Sequence, residues 1–103
     1  MIEKLKTILG IKPSANFKEL FTNGAIIVDV RTKQEYSNGN IKKSINIPLD
    51  SIAKEAVKLD KSKVIITCCQ SGMRSGMATG ILKEKGFTVY NGGGWSSLQN
   101  KIQ

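Results

Sequence analysis

Strands alternating with helices predict an α/β fold built on a small parallel sheet, and three observations carry that prediction. Val64, Ile65 and Ile66 form a continuous apolar run rich in β-branched residues, as in a strand covered on both faces. From Arg74 onward Met77, Ala78, Ile81 and Leu82 recur at helical spacing, and Gly86 after Lys83 and Lys85 is a helix stop. Between strand and helix lies a short polar loop, Cys69-Gln70-Ser71-Gly72-Met73-Arg74. With 103 residues, 40% of them hydrophobic, the chain is expected to form one domain over residues 1–103. A domain of that size buries roughly 60–65% of the surface of its unfolded chain.

The remaining elements follow in order. Met1 to Leu9 reads as an amphipathic helix with Ile2, Leu5, Ile8 and Leu9 on one face, and Gly10 to Lys12 leaves little room for a first edge strand before Pro13. Ser14 or Asn16 caps a short helix carrying Phe17, Leu20 and Phe21, and Asn23-Gly24 turns the chain into a strand over Ala25 to Val30. Thr32 is an N-cap for a short helix through Glu35 and Tyr36, closed by Asn38-Gly39. Ser44 to Ile47 is a short strand that Pro48 stops, and Asp50 is expected to cap a helix with Ile52, Ala53, Ala56 and Leu59 on one face. Val64 to Cys68 is the central strand. Thr88 to Tyr90 is the last strand, and Gly92-Gly93-Gly94 is expected to turn into a helix over Trp95 to Ile102.

The loop after the central strand carries the chemistry. Its backbone N–H groups can curl around one point while the next helix adds its positive end, an arrangement that favours an anion or a thiolate. A free thiol has a pKa of about 8.5, and such surroundings lower it. Cys69 at the break is therefore the candidate nucleophile. The chain has no histidine, which excludes a Cys-His pair, so activation falls to the backbone and to Arg74, the loop's one cation.

Cys69-x-x-Gly72-x-Arg74-Ser75 after an apolar strand resembles the active-site loop of the rhodanese family, single-domain sulfurtransferases that carry sulfane sulfur as a cysteine persulfide. A second block resembles the family's D-x-R, E-[YF], G-H-I and I-N-I-P elements: Asp29-Val30-Arg31, Glu35-Tyr36, Gly39-Asn40-Ile41 and Ile45-Asn46-Ile47-Pro48. A third, Gly92-Gly93-Gly94-Trp95, is similar to its closing Gly-Gly turn. The resemblance implies a four- or five-stranded parallel sheet wrapped by helices. It also implies a catalytic Cys69, a substrate-binding loop of Gln70, Ser71, Gly72, Met73, Arg74 and Ser75, and Asp29 and Arg31 as support for that loop. The implied reaction moves sulfur from thiosulfate or a persulfide to a thiol or cyanide acceptor, with a sulfur-relay protein as a further candidate partner, and needs neither cofactor nor metal.

Asn40 replaces the usual histidine, and Lys42-Lys43-Ser44 replaces the usual Pro-Gly-Ala. Gln70, Ser71 and Met73 are neutral, so a dianion such as thiosulfate gains less here than in a basic loop. Asp29 and Arg31 admit a purely structural reading, with Arg31 a surface partner of Asp29, beside one of substrate contact. Gly76 and Gly80 read as small residues that let the helix approach the sheet, and Trp95 reads as core packing. Cys68 reads as a small buried residue facing away from the loop, with a resolving cysteine as the alternative. Two readings of other classes stand beside the transferase. One is a sulfur carrier or regulatory interaction module with little turnover. The other is a cysteine phosphatase or arsenate reductase, because Cys68-x5-Arg74-Ser75 fits that signature formally, although Gly72 keeps the usual offset from Cys69 and no general acid can be assigned.

Composition bounds the setting. The net charge of +8 comes from 16 basic and 8 acidic residues, but the lysines are scattered along every segment with no basic stripe and no interleaved aromatics, so specific nucleic-acid binding is not expected. Met1 to Lys12 has four charged residues and no apolar run long enough for a signal peptide or membrane span, and adjacent cysteines cannot staple distant segments. A cytoplasmic location, where a thiol stays reduced, is therefore expected.

Overall fold

A computed structural model describes residues 16–103. The expected helix over Met1 to Leu9 and the candidate cap Ser14 lie outside the described residues. Asn16 caps α1 (Phe17–Thr22) by accepting from the Glu19 N–H at 3.1 Å. Then come β1 (Ile26–Asp29), α2 (Lys33–Ser37), β2 (Ile45–Asn46) and α3 (Leu49–Glu55), which tightens into a 3₁₀ turn over Ala56–Lys58. The chain ends with β3 (Ile65–Cys69), α4 (Met73–Glu84), β4 (Val89–Gly94) and α5 (Trp95–Ile102). The four strands form one parallel sheet in the order β2-β1-β3-β4, the α/β architecture that the alternation predicts.

Strand alternation divides the core. Val28, Val30, Ile65, Cys69 and Val89 meet Ile52, Ala56, Ala78, Leu82 and Phe87 on the face of the sheet covered by α3 and α4. Ile27, Ile66 and Cys68 meet Ala25, Ile41 and Leu98 on the other face, with Phe17, Leu20, Phe21, Trp95 and Ile102 packed against them from α1 and α5. From β1 the chain turns to β2 on one side, and from β3 to β4 on the other. The crevice at the carboxyl ends of β1 and β3 is thus the topological switch point, where open parallel sheets bind ligands. Asp29 of β1 pairs with Cys68 of β3, so both ends open on that crevice.

Several local expectations change. Asp50 does not cap α3: the cap position is Pro48, whose φ of −54° already suits a helix start, and Asp50 lies in the first turn. Ala53 is exposed, one position round the helix from Ile52, whereas Ile52 and Ala56 are buried and Leu59 packs part-buried against the same cluster. Met77 is also exposed, since Ser75, Ala78, Thr79 and Leu82 form the buried face of α4. Gly80 meets nothing within 4 Å of an added Cβ, so no close approach requires it, whereas a Cβ at Gly76 would lie 3.3 Å from Asn91 Nδ2. The triple glycine is not a turn but the second half of β4, with an irregular register opposite Thr67 to Cys69. A Cβ at Gly92 would stand 2.7 Å from the Thr67 carbonyl oxygen and 2.9 Å from Leu98 Cδ2, so α5 reaches the sheet only because that side chain is missing.

Candidate active site

Cys69 is the last residue of β3, and Gln70, Ser71 and Gly72 span the gap to α4. Gly72 makes the loop this short. Its φ of +106° is in the left-handed region, and the resulting turn aims its N–H at Cys69 Sγ, 2.9 Å away. From the first turn of α4, Ser75 places Oγ 3.4 Å from the same sulfur, which donates to it while protonated. Ser75 donates in turn to the Gly72 carbonyl at 3.1 Å and to Asn91 Oδ1 at 2.6 Å. Asn91 accepts from the Gly93 N–H at 2.9 Å as well, and so ties the loop to β4. Below them Thr67 Oγ1 donates to the Ser75 carbonyl at 3.1 Å and pairs with Thr79 Oγ1 at 2.8 Å.

The electrostatics follow. Burial by itself pushes the Cys69 thiol up, but the Ser75 hydroxyl and the backbone N–H groups of Ser75, Gly72 and Ser71 outweigh it and hold the thiol below its ordinary value. Cys68, one residue earlier, faces the opposite side of the sheet with no exposure. Burial, and then the charge of Asp29, push that thiol far up. Both cysteines are free. In the Cys68-x5-Arg74 frame, therefore, the sulfur is not in the loop at all.

The residues expected around the nucleophile separate by position. Gln70 and Ser71 are exposed, and Met73 is 76% exposed at the first position of α4, while Ser75 is buried beneath the sulfur. Arg74 does not reach into the loop. Its Nη1 and Nη2 donate to Glu35 Oε1 and Oε2 at 2.7 and 3.1 Å, a two-pronged pair with both side chains about one-third exposed. Glu35 is also the third residue of α2, where Oε1 accepts the Thr32 N–H at 2.9 Å in a capping box. The Arg74 hydrogen bond first, and then the Thr32 N–H, lower the Glu35 carboxyl to about 2.

Arg31 is not a surface residue: it is 2% exposed, and it holds fully buried Asp29 through Nε and Nη2, the shorter bond being 2.8 Å. Its remaining donors reach the Glu35 and Gly39 carbonyls at 3.2 and 2.7 Å, and Trp95 stacks on the guanidinium with the ring centroid 4.7 Å away. This pair therefore fixes the segment 35–39, which in turn presents Glu35 to Arg74; no hydrogen bond from either joins residues 70–75 directly. Trp95 packs on the α1/α5 side of the core as expected, close over Gly39. Sequence reasoning missed the partnership of Glu35, although Thr32-x-x-Glu35 is a legible capping box, and it missed Asn91, hidden in a stretch read as a glycine turn. Among the described residues no group of His, Cys, Asp and Glu is arranged to hold a metal ion, and no helix is long and apolar enough to cross a membrane.

Comparison with known proteins points to one family. The thiosulfate sulfurtransferase PspE of Escherichia coli is 36% identical over 74 residues, covering 69% of this chain and 71% of that protein. The tRNA sulfurtransferase of Thermoplasma acidophilum is 29% identical over 80% of this chain, which spans only 16% of that relative's length. A rhodanese-related protein from Thermoplasma volcanium superposes with a TM-score of 0.72 at 28% identity, over 85% of this chain and 90% of that one. The model of the rhodanese-like domain matches residues 14–101, and with a parallel sheet whose central strand ends on a cradled cysteine, this chain belongs to that family.

Proposed function

We propose that the protein is a sulfurtransferase that carries sulfane sulfur on Cys69 as a persulfide. The observation that carries this reading is the position of Cys69 Sγ, 2.9 Å from the Gly72 N–H and above Ser75 Oγ, where donors outweigh burial and favour the thiolate. The thiolate attacks the sulfane sulfur of a donor, thiosulfate or a persulfide. A new S–S bond forms on Cys69, the donor's S–S bond breaks, and sulfite or a thiolate leaves with the bonding pair. An acceptor thiolate or cyanide then attacks the outer sulfur and releases the Cys69 thiolate. The same backbone donors that stabilise the thiolate stabilise the persulfide anion, so the enzyme can wait between the two half-reactions. Gln70, Ser71, Gly72, Met73, Arg74 and Ser75 border the donor, and Asp29 with Arg31 holds the neighbouring segment in place. The acceptor belongs to a thiol or sulfur-relay chemistry of the kind that the names of the relatives indicate, in a reducing compartment such as the cytoplasm.

Mass spectrometry of the reduced protein after incubation with each donor tests the proposal. Wild type and Cys68→Ser gain the mass of one sulfur atom, and Cys69→Ser gains none. Loading of Cys69→Ser with loss in Cys68→Ser would move the nucleophile and defeat the reading.

A further inference from the structure

Thiosulfate makes an electrostatic demand that a neutral persulfide does not. Its attack by a thiolate gathers three negative charges in one transition state and expels the dianion sulfite. Attack on a hydropersulfide, R–S–S–H, gathers only one: the thiolate bonds to the outer sulfur, the inner S–S bond breaks, R–S⁻ leaves with the pair, and the proton stays on the transferred sulfur. A site for the first donor needs a cation free to face it.

The charges around Cys69 are already committed. Arg74 is held by both oxygens of Glu35 at 2.7 and 3.1 Å, and Arg31 is buried on Asp29. Beside Arg74 a cleft of about 210 Å³ is lined by Val30, Thr32, Pro48, Leu49, Asp50 and Arg74. Val30 and Leu49 belong to the same apolar cluster as Cys69, so this cleft adjoins the sulfur's side of the sheet. Among the described residues it is lined by no lysine, and its second charged residue, Asp50, is an acid. The cleft's one cation is thus held by a carboxylate from α2, and the other charge in the lining, Asp50, is negative as well.

We infer that Glu35, by holding the Arg74 guanidinium, determines the donor class of this site: a sulfane sulfur on a thiol leaving group, with thiosulfate selected against. The inference rests on the sulfurtransferase reading and makes Glu35 a specificity-determining residue. The grip is built into the fold, because the same carboxylate completes the capping box of α2 through the Thr32 N–H. Glutamine at position 35 keeps an oxygen for that N–H and removes the charge that neutralises Arg74.

The test compares rates of sulfur loading on Cys69 from thiosulfate and from cysteine persulfide, whose ammonium and carboxylate charges cancel. In wild type the persulfide is faster by roughly tenfold or more, and in Glu35→Gln the thiosulfate-to-persulfide ratio rises by roughly fivefold or more, as expected for one freed cation beside a dianion. A ratio unchanged within about twofold in a folded Glu35→Gln protein overturns the inference. Should Glu35→Gln lose its cooperative melt, Glu35→Ala replaces it, since Thr32 Oγ1 still accepts the N–H of residue 35; a rise in the ratio supports the inference and no rise overturns it. A second readout needs no transfer: sulfate protection of Cys69 against iodoacetamide strengthens in Glu35→Gln, and equal protection of both proteins overturns the inference. If neither donor loads wild type, the sulfurtransferase reading fails by itself, and the sulfate arm still decides what Glu35 does.

Discussion

Removing the Ser75 hydroxyl isolates the part of the cradle that comes from a side chain. Ser75 is fully buried, with Oγ 3.4 Å from Cys69 Sγ, 3.1 Å from the Gly72 carbonyl and 2.6 Å from Asn91 Oδ1. When Cys69 ionises, the hydroxyl proton must turn from these acceptors to the sulfur. A hydrogen bond to a charged group is worth about 1.5–3 kcal/mol, and the strong acceptor Asn91 competes for the same proton, so the low end applies. Ser75→Ala should then reduce the thiolate fraction near neutral pH roughly tenfold, equivalent to about 1.4 kcal/mol. The cost in stability is about 1 kcal/mol, because the two oxygens that accept from Ser75 keep other donors and only the weak Cys69 S–H loses its partner. Asn91 Oδ1 keeps the Gly93 N–H at 2.9 Å, and the Gly72 carbonyl keeps the Gly76 N–H at 3.1 Å. The assay is the rate of Cys69 alkylation by iodoacetamide across about pH 6 to 9, where thiolate reactivity changes most. The rate profile should move to higher pH in Ser75→Ala and return in Ser75→Thr. An unmoved profile in a protein that still melts cooperatively would refute the argument and leave the backbone N–H groups as the whole cause.

Three further outcomes are expected. The folded, reduced protein should show one fast-reacting thiol, absent in Cys69→Ser; a second fast thiol would mean that Cys68 is accessible. Gly92→Ala should destabilise by roughly 2–3 kcal/mol in denaturant unfolding, because the new methyl would lie 2.7 Å from main-chain oxygen that cannot yield cheaply; an unchanged midpoint would show that β4 can shift. Lys43, exposed at a φ of +71° where the family usually has glycine, should stabilise on replacement by glycine. Relief of the left-handed conformation, about 1–2 kcal/mol, exceeds the added flexibility of the unfolded chain, about 0.4–1 kcal/mol, and a lower melting temperature would contradict this.

Much of the architecture was legible because local chemistry and the final fold agree. The Val64 to Ile66 run, the Thr32 cap and the Asn23-Gly24 turn act within a few residues of themselves, and each has its expected element. Cys69 and Cys68 were separable for the same reason, since strand alternation is local. Arg74 was harder. In the sequence it is the loop's unopposed cation, and its partner lies 39 residues earlier on another helix. Only the parallel pairing of β1 with β3 brings α2 to the start of α4. In the sequence Arg31 fits either a surface partner of Asp29 or a substrate contact, because nothing there shows Trp95 closing over it, or the Gly39 carbonyl accepting from its last donor. Asp50 is not the cap because the cap position is Pro48, two residues earlier.

The glycines of β4 show how a distant strand completes the site. The ladder between β3 and β4 is regular from Ile65 opposite Val89 to Thr67 opposite Asn91, then slips, so that Cys69 pairs with Gly94. That slip lies where the chain must leave the sheet and curl back over its own sulfur. A Cβ at Gly94 would stand 2.9 Å from the Gln70 carbonyl oxygen, and a Cβ at Gly72 would stand 3.5 Å from the Gly93 Cα. The loop can fold down onto β4 only because β4 presents bare backbone there, and Asn91 then fastens it through the Gly72 carbonyl and Ser75. Along the chain the closing glycines lie more than twenty residues beyond Cys69; in space they are the floor on which its cradle rests. A larger residue at position 94 should therefore weaken the cradle before it weakens the core, because what it displaces is the loop backbone that turns its N–H groups toward the sulfur.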